Sequence, residues 1–218
     1  MLSKLEIYKA KRRISQYVHN TPVLTNSNLN KLTESQLYFK CENFQRSGSF
    51  KIRGATNAVM QLSKSDINKG IVTVSSGNHG AALSMAVTRL GGVTKVIMPK
   101  NTPKIKIDNV LRNGGKIIWC KPDYASREKV LNKVLKDTES ILIHPYNDMR
   151  IIAGQGTVAL ELLNKYRDLD IIISPVSGGG LLSGILCLTK KINDKIKVYG
   201  AEPVEADDTY RSLVSGKI

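Results

Sequence analysis

The sequence predicts an α/β fold with a parallel sheet, on the strength of two observations. From residue 71 onward, short apolar runs alternate with longer amphipathic segments, and glycine or proline follows many of these segments. Such apolar runs are typical of buried strands, and strands that alternate with helices pair in parallel through right-handed crossovers. We see no internal repeat and no low-complexity linker.

The elements follow in chain order. Residues 5–18 are amphipathic and end at the turn His19-Asn20-Thr21-Pro22, residues 37–41 resemble a strand, and a helix follows with its apolar face at Ile52, Ala55, Val59 and Leu62. Strands are then predicted over 71–74, 95–98, 116–119, 141–143, 171–174 and 198–201. Helices are predicted over 81–90, 104–112, 126–136, 156–166 and 181–188, two of them ended by paired glycines.

Composition restricts the class of protein. The formal net charge is +15, but the lysines are scattered and aromatic residues make up only 6%, so we expect a lysine-rich surface and no nucleic-acid binding. The sequence lacks an apolar run that could span a membrane and a secretory signal, so we expect a cytoplasmic protein. Cys41, Cys120 and Cys187 are widely spaced and odd in number, which predicts reduced and mostly buried thiols.

Two strand or loop ends carry unusual chemistry. Lys51, in Ser47-Gly48-Ser49-Phe50-Lys51, stands at the start of a helix, where the helix dipole disfavours a cation and burial would release a free amine. The turn Ser75-Ser76-Gly77-Asn78-His79-Gly80 follows a strand, and its backbone amides could bind a carboxylate. Asn78 can donate to a ring oxygen. For His79 alone we favour a packed, hydrogen-bonded histidine.

A third turn, Ser177-Gly178-Gly179-Gly180-Leu181, also follows a strand. Consecutive glycines before a helix form a phosphate cradle from main-chain amides, although neither the P-loop nor the dinucleotide pattern is complete. Together the three turns offer an amine, a carboxylate site and a phosphate site. A cofactor with an aldehyde and a phosphate, acting on an amino acid, needs these three elements.

These motifs, in this order, resemble those of fold-type II pyridoxal-phosphate enzymes with the tryptophan-synthase-β-like architecture. The greatest similarity is to the serine racemase and threonine (serine) dehydratase family. Two further segments agree with this family: His144-Pro145-Tyr146 with Ala153-Gly154-Gln155-Gly156-Thr157, and Ala201-Glu202-Pro203 with Ala206-Asp207-Asp208. The similarity covers essentially the whole chain.

The resemblance implies the site residues. Lys51 would hold pyridoxal 5'-phosphate as a Schiff base and move the α-proton, with Phe50 beside the cofactor and Asn78 at its 3-hydroxyl. The phosphate would bind Gly178, Gly179, Gly180 and Leu181, and the substrate carboxylate would bind Ser75, Ser76, Gly77, Asn78 and His79. Ser76 would act as acid and base on the opposite face, where many dehydratases carry alanine. The expected reaction is loss of water and ammonia from L-threonine or L-serine, serine racemisation, or both.

The resemblance further implies a divalent-cation site made by Glu202, the carbonyl of Ala206, and Asp208. Oxygen ligands of this kind suit Mg²⁺, Mn²⁺ or Ca²⁺, while the alternative is that the two acids cap a helix. Residues 1–69 and 148–218 would form a large domain and residues 70–147 a small one. Relatives of this family act as homodimers and continue for about a hundred further residues, so we expect an incomplete large domain with no partner for the pyridine nitrogen.

Three alternatives remain at this stage. A catalytically impaired fragment or pseudoenzyme would bind the cofactor without turnover. An enzyme of β-replacement would make cysteine or cystathionine, although the Ser75–Gly80 turn and the acidic pair argue against it. A nucleic-acid binder would use the positive charge and would show salt-dependent affinity.

Overall fold

The structure is a computed structural model, and it describes residues 2–217. Within this range the chain forms ten α-helices and eight strands. The helices are α1 (Lys4–Ile14), α2 (Ser27–Thr33), α3 (Lys51–Val59), α4 (Lys64–Lys69), α5 (Asn78–Thr88), α6 (Lys104–Arg112), α7 (Tyr124–Thr138), α8 (Met149–Lys165), α9 (Gly180–Ile192) and α10 (Asp208–Ser215). The strands are β1 (Val23–Leu24), β2 (Phe39–Lys40), β3 (Ile71–Val74), β4 (Thr94–Pro99), β5 (Gly115–Cys120), β6 (Ile141–Leu142), β7 (Ile171–Pro175) and β8 (Lys197–Ala201).

The expected parallel sheet is confirmed. Four parallel strands lie in the order β5-β4-β3-β6, with Ile71 of β3 opposite Thr94 of β4 and Ile141 of β6. Strands β7 and β8 form a second parallel pair. The short strands β1 and β2 pair antiparallel, which the sequence did not predict. Each parallel strand that precedes a helix places its carboxyl end at a turn where a ligand can bind.

Helix α8 is the central element of the larger core cluster, and nearly all of its residues are buried. A Cβ added at Gly154 would lie 2.6 Å from the carbonyl oxygen of Arg53 on α3, and one added at Gly184 on α9 would lie 2.6 Å from the nitrogen of Gly156. The backbones of α3, α8 and α9 therefore touch where glycine permits it. This packing also explains why α8 begins at Met149 and not at Gly156, as predicted: close contact outweighs the low helix propensity of its glycines.

Other differences are local. The first helix ends at Ile14, and the strand predicted over 37–41 is reduced to Phe39–Lys40. Helices α2, α4 and α10 were not predicted, because each is short and most of its residues are polar or exposed. All three cysteines are free, as expected, but only Cys120 is buried, so the prediction of mostly buried thiols was wrong for the other two.

The four-stranded sheet falls inside residues 70–147, the segment proposed as a small domain. Its helix α5 packs against α3, which belongs to the other proposed domain, through buried side chains such as Ala82 and Ala55. The division into two domains therefore stays a proposal. Over residues 2–217, every helix is too short or too polar to cross a membrane.

Candidate active site

Lys51 is the first residue of α3, and its amine lies in a protected position. The Nζ atom donates a hydrogen bond to the carbonyl oxygen of Pro145 at 3.0 Å and lies 5.2 Å from the centroid of the Phe50 ring. Burial lowers the pKa of this amine from 10.5 to about 8. A much larger share of it is therefore uncharged near neutral pH than for a surface lysine, and an uncharged amine can attack an aldehyde.

The Pro145–Tyr146 segment connects this amine to the glycine turn. The ring of Tyr146 fills the space beside Gly178, so that a Cβ added at Gly178 would overlap it. A Cβ added at Gly180 would lie 3.0 Å from the Cβ of Tyr146. Lys51 and the turn after β7 are thus joined through two consecutive residues, which brings the predicted amine and the predicted phosphate cradle to the same place.

The glycine turn presents main-chain amides in the way that anion sites do. Gly179 has a φ of +79°, a conformation that favours glycine, and its own amide donates to Val176 at 3.0 Å. Among the described residues, the amides of Gly178, Gly180 and Leu181 have no main-chain acceptor. They lie at the positive end of α9, so these residues fit the phosphate of pyridoxal phosphate.

The turn between β3 and α5 is organised by Ser75. Its Oγ accepts hydrogen bonds from the amides of Gly77 at 3.3 Å and of Gly80 at 3.0 Å. In the part of the chain that the structure describes, the amides of Ser76, Asn78 and His79 have no acceptor. Ser76 and Asn78 are exposed. The turn is therefore shaped for an anion, with Ser75 supporting it from within.

His79 is buried, with 3% of its surface exposed, but it differs from the hydrogen-bonded histidine that we favoured. Neither ring nitrogen makes a hydrogen bond of ordinary geometry to another described residue. Burial, reinforced by the charge of Lys51 and only partly opposed by the main chain of Ile143, lowers the pKa of His79 to about 3. The imidazole is neutral at physiological pH, and its electrostatic coupling places the second turn close to Lys51.

Sequence reasoning missed a buried charge cluster behind Lys51. Arg53 has no exposed surface, and its guanidinium donates to both oxygens of Glu42, at 2.8 Å each, and to both oxygens of Glu161, at 2.9 and 2.7 Å. Lys40, at 2.7 Å, and Lys11 also contact Glu161. Burial alone would raise the pKa of Glu161, but the hydrogen bonds and charge of Arg53, with the two lysines, lower it to about 2.

The predicted metal ligands have a different arrangement in the structure. The carboxylate of Glu202 accepts hydrogen bonds from the amides of Thr209 at 3.4 Å and Tyr210 at 3.1 Å, which are in the first turn of α10. The capping alternative is therefore confirmed for Glu202. Asp208 is exposed at the start of the same helix. Residues 2–217 contain no group of three or more His, Cys, Asp or Glu side chains that could hold a metal.

The comparisons with known proteins agree with this geometry. A family model described as pyridoxal-phosphate dependent enzyme matches residues 14–218. The chain is 51% identical to a serine racemase of Arabidopsis thaliana over 214 residues, which cover 98% of this chain and 65% of that protein. It is 45% identical to a β-hydroxyaspartate dehydratase of Paracoccus denitrificans, covering 98% and 68%.

Solved structures give the same result for the fold. Maize serine racemase superposes with a TM-score of 0.97 at 44% identity, covering the whole chain and 66% of the maize protein. A bacterial threonine deaminase, from T.th., superposes with a TM-score of 0.93 at 38% identity, covering 99% and 70%. The chain thus spans about two thirds of the length of these relatives. It belongs to the pyridoxal-phosphate-dependent enzymes, with the α/β fold of fold type II that serine racemases and threonine deaminases share.

Proposed function

We propose that this protein uses pyridoxal 5'-phosphate to remove water and ammonia from L-threonine or L-serine, to racemise serine, or to do both. One observation carries the proposal: the buried amine of Lys51 bonds to Pro145, and the next residue packs against Gly178 and Gly180. An amine of lowered pKa and a set of unbonded amides at a helix start therefore share one site. The relatives named serine racemase and threonine deaminase support this substrate class.

In this proposal each turn has one task. Lys51 holds the cofactor's aldehyde carbon and, once released, accepts the α-proton of the substrate, with Phe50 packed beside the ring and Asn78 donating to the ring's 3-hydroxyl. The main chain of Gly178, Gly179, Gly180 and Leu181 binds the phosphate. The bound cofactor supplies an electron-withdrawing ring that stabilises negative charge at the substrate α-carbon.

The turn Ser75, Ser76, Gly77, Asn78 and His79 binds the substrate carboxylate in this proposal. The amides without an acceptor and the positive end of α5 attract the anion. The hydroxyl of Ser76 is exposed and can exchange a proton with the face opposite Lys51. Proton transfer on both faces gives the other enantiomer, whereas transfer on one face with loss of the β-hydroxyl gives a 2-oxo acid and ammonia.

The proposal extends to the assembly and to a cation. Glu202, the carbonyl of Ala206, and Asp208 are proposed ligands for Mg²⁺, Mn²⁺ or Ca²⁺; Glu202 would have to share its oxygens with the amides of α10. We also propose a homodimer in the cytoplasm. The shift in thermal midpoint on addition of each metal, compared between the wild type and Glu202→Gln, tests the cation site.

The central experiment is incubation with the cofactor and L-serine or L-threonine, following ammonia, 2-oxo acid and D-serine in parallel. Borohydride treatment and peptide mapping should fix the cofactor to Lys51, and Lys51→Ala should abolish both fixation and turnover. Fixation without any product would favour the pseudoenzyme alternative. Fixation at another residue would contradict the proposal.

A further inference from the structure

Lys106, on α6, lies against the turn that is proposed to bind the substrate carboxylate. A Cβ added at Gly77 would lie 3.2 Å from the Cδ of Lys106, 3.6 Å from its Cε and 3.8 Å from its Cγ. The φ of Gly77 is 177°, which any residue can adopt. Space for the lysine stem, and not backbone conformation, is therefore the structural reason for glycine at this position.

The ammonium group of Lys106 is available to a ligand. Its residue is exposed, and its Nζ has no hydrogen bond or ion pair with another residue in 2–217. Other lysines with packed stems have partners: Lys40 bonds to Glu161 at 2.7 Å, and Lys95 bonds to Ser140 at 2.9 Å. The stem of Lys106 is thus held in place by the turn while its charge remains unsatisfied by the protein.

The site then contains two separate positive groups. The amides of the Ser75–Gly80 turn and the start of α5 suffice for one carboxylate, and the Lys106 ammonium adjoins them. A substrate with one carboxylate, such as serine, leaves this second group without a partner. A substrate with a second carboxylate on its β-carbon would satisfy it by a charge-assisted hydrogen bond.

We propose that Lys106 is a specificity-determining residue that binds the side-chain carboxylate of a 3-hydroxy amino diacid of the hydroxyaspartate class. The inference rests on the proposed function and narrows its substrate class. Lys106 does not touch the reacting bonds; it selects the substrate by charge. Loss of water and ammonia from such a substrate would leave a four-carbon 2-oxo diacid.

Two measurements on the cofactor-loaded protein test the inference. Isothermal titration calorimetry with malonate, which has two carboxylates, and with propionate, which has one, gives a readout independent of turnover. Replacement Lys106→Met should weaken malonate binding by about 10- to 100-fold and propionate binding much less, and Lys106→Arg should retain most of the affinity for malonate. Lys104→Met removes a charge from the same helix without touching the turn, and it should change neither affinity.

Kinetics supply the second measurement, the ratio of kcat/KM for 3-hydroxyaspartate to that for L-serine. Lys106→Met should lower this ratio by about 10-fold or more. Equal losses for both substrates, or malonate binding unaffected by Lys106→Met, would overturn the inference while leaving the proposed function in place. If the wild type turns over neither substrate but Lys106 still controls malonate binding, the proposed function fails and the carboxylate site stands.

Discussion

Arg53 and Glu161 form a buried pair that joins two helices across 108 residues of sequence, with the guanidinium donating to both carboxylate oxygens at 2.9 and 2.7 Å. Glu42 completes the second side of the same guanidinium. Arg53 lies two residues after Lys51 on α3. The pair therefore fixes the start of that helix against α8, and with it the backbone from which the amine extends.

Replacing Arg53 by Met should destabilise the fold strongly. The change leaves Glu42 and Glu161 buried without their main cation, and breaking a buried pair in this way costs about 3–5 kcal/mol. Urea unfolding at pH 7 measures the effect. The exposed pair of Arg211 with Asp207 provides the control, because Arg211→Met should leave the midpoint unchanged. Equal midpoints for wild type and Arg53→Met would contradict this role.

Lys51 should reduce the stability of the cofactor-free protein near neutral pH. Its pKa is about 8 in the fold and 10.5 when unperturbed, so between these values the unfolded chain binds more protons and stability rises with pH. Below pH 8 the folded protein carries the full cost of burying the charge. Lys51→Met should therefore be more stable at pH 7 by up to about 3 kcal/mol.

This gain from Lys51→Met should shrink between pH 8 and 10.5. Urea unfolding of the cofactor-free wild type and variant across this range measures it, with Lys104→Met as the matched control. A gain that does not change with pH would come from the added apolar side chain alone. It would show that the amine is not desolvated.

Gly178→Ala should weaken cofactor binding through Tyr146. The new Cβ would overlap the ring, and forcing such a contact costs about 1–3 kcal/mol. Titration of pyridoxal phosphate, followed by absorbance, gives the affinity. The double variant Gly178→Ala with Tyr146→Ala should recover most of the loss relative to Tyr146→Ala alone. Failure to recover would mean that the glycine is needed for contact with the phosphate itself.

Ser76→Ala should separate the two proposed reactions. The hydroxyl is exposed on the turn after β3 and is proposed to serve the face opposite Lys51, so its loss should reduce D-serine formation by about 100-fold or more. Elimination should partly survive, because it needs proton removal by Lys51 alone. Parallel assay of D-serine and pyruvate measures both. Equal losses would place Ser76 in substrate binding and not in proton transfer.

Much of the fold could be predicted because each strand from Ile71 onward is a local apolar run and each turn has its own glycines. The three turns were recognised for the same reason. The Arg53 cluster could not be recognised, since no local pattern pairs an arginine with a glutamate 108 residues away. The full length of α8 was missed because its glycines lower helix propensity locally, while their benefit comes from α3 and α9.

Helix α8 sets a fixed spacing. The helix that carries Lys51 and the helix that starts at the glycine turn both rest on it, at Gly154 and Gly156, through direct backbone contact. Because hardly any side chain stands between these three axes, their separation cannot be retuned by swapping one bulky residue for another. The gap between the two anchoring points for the cofactor is a property of the polypeptide backbone, which leaves the outlying turns to vary with the substrate.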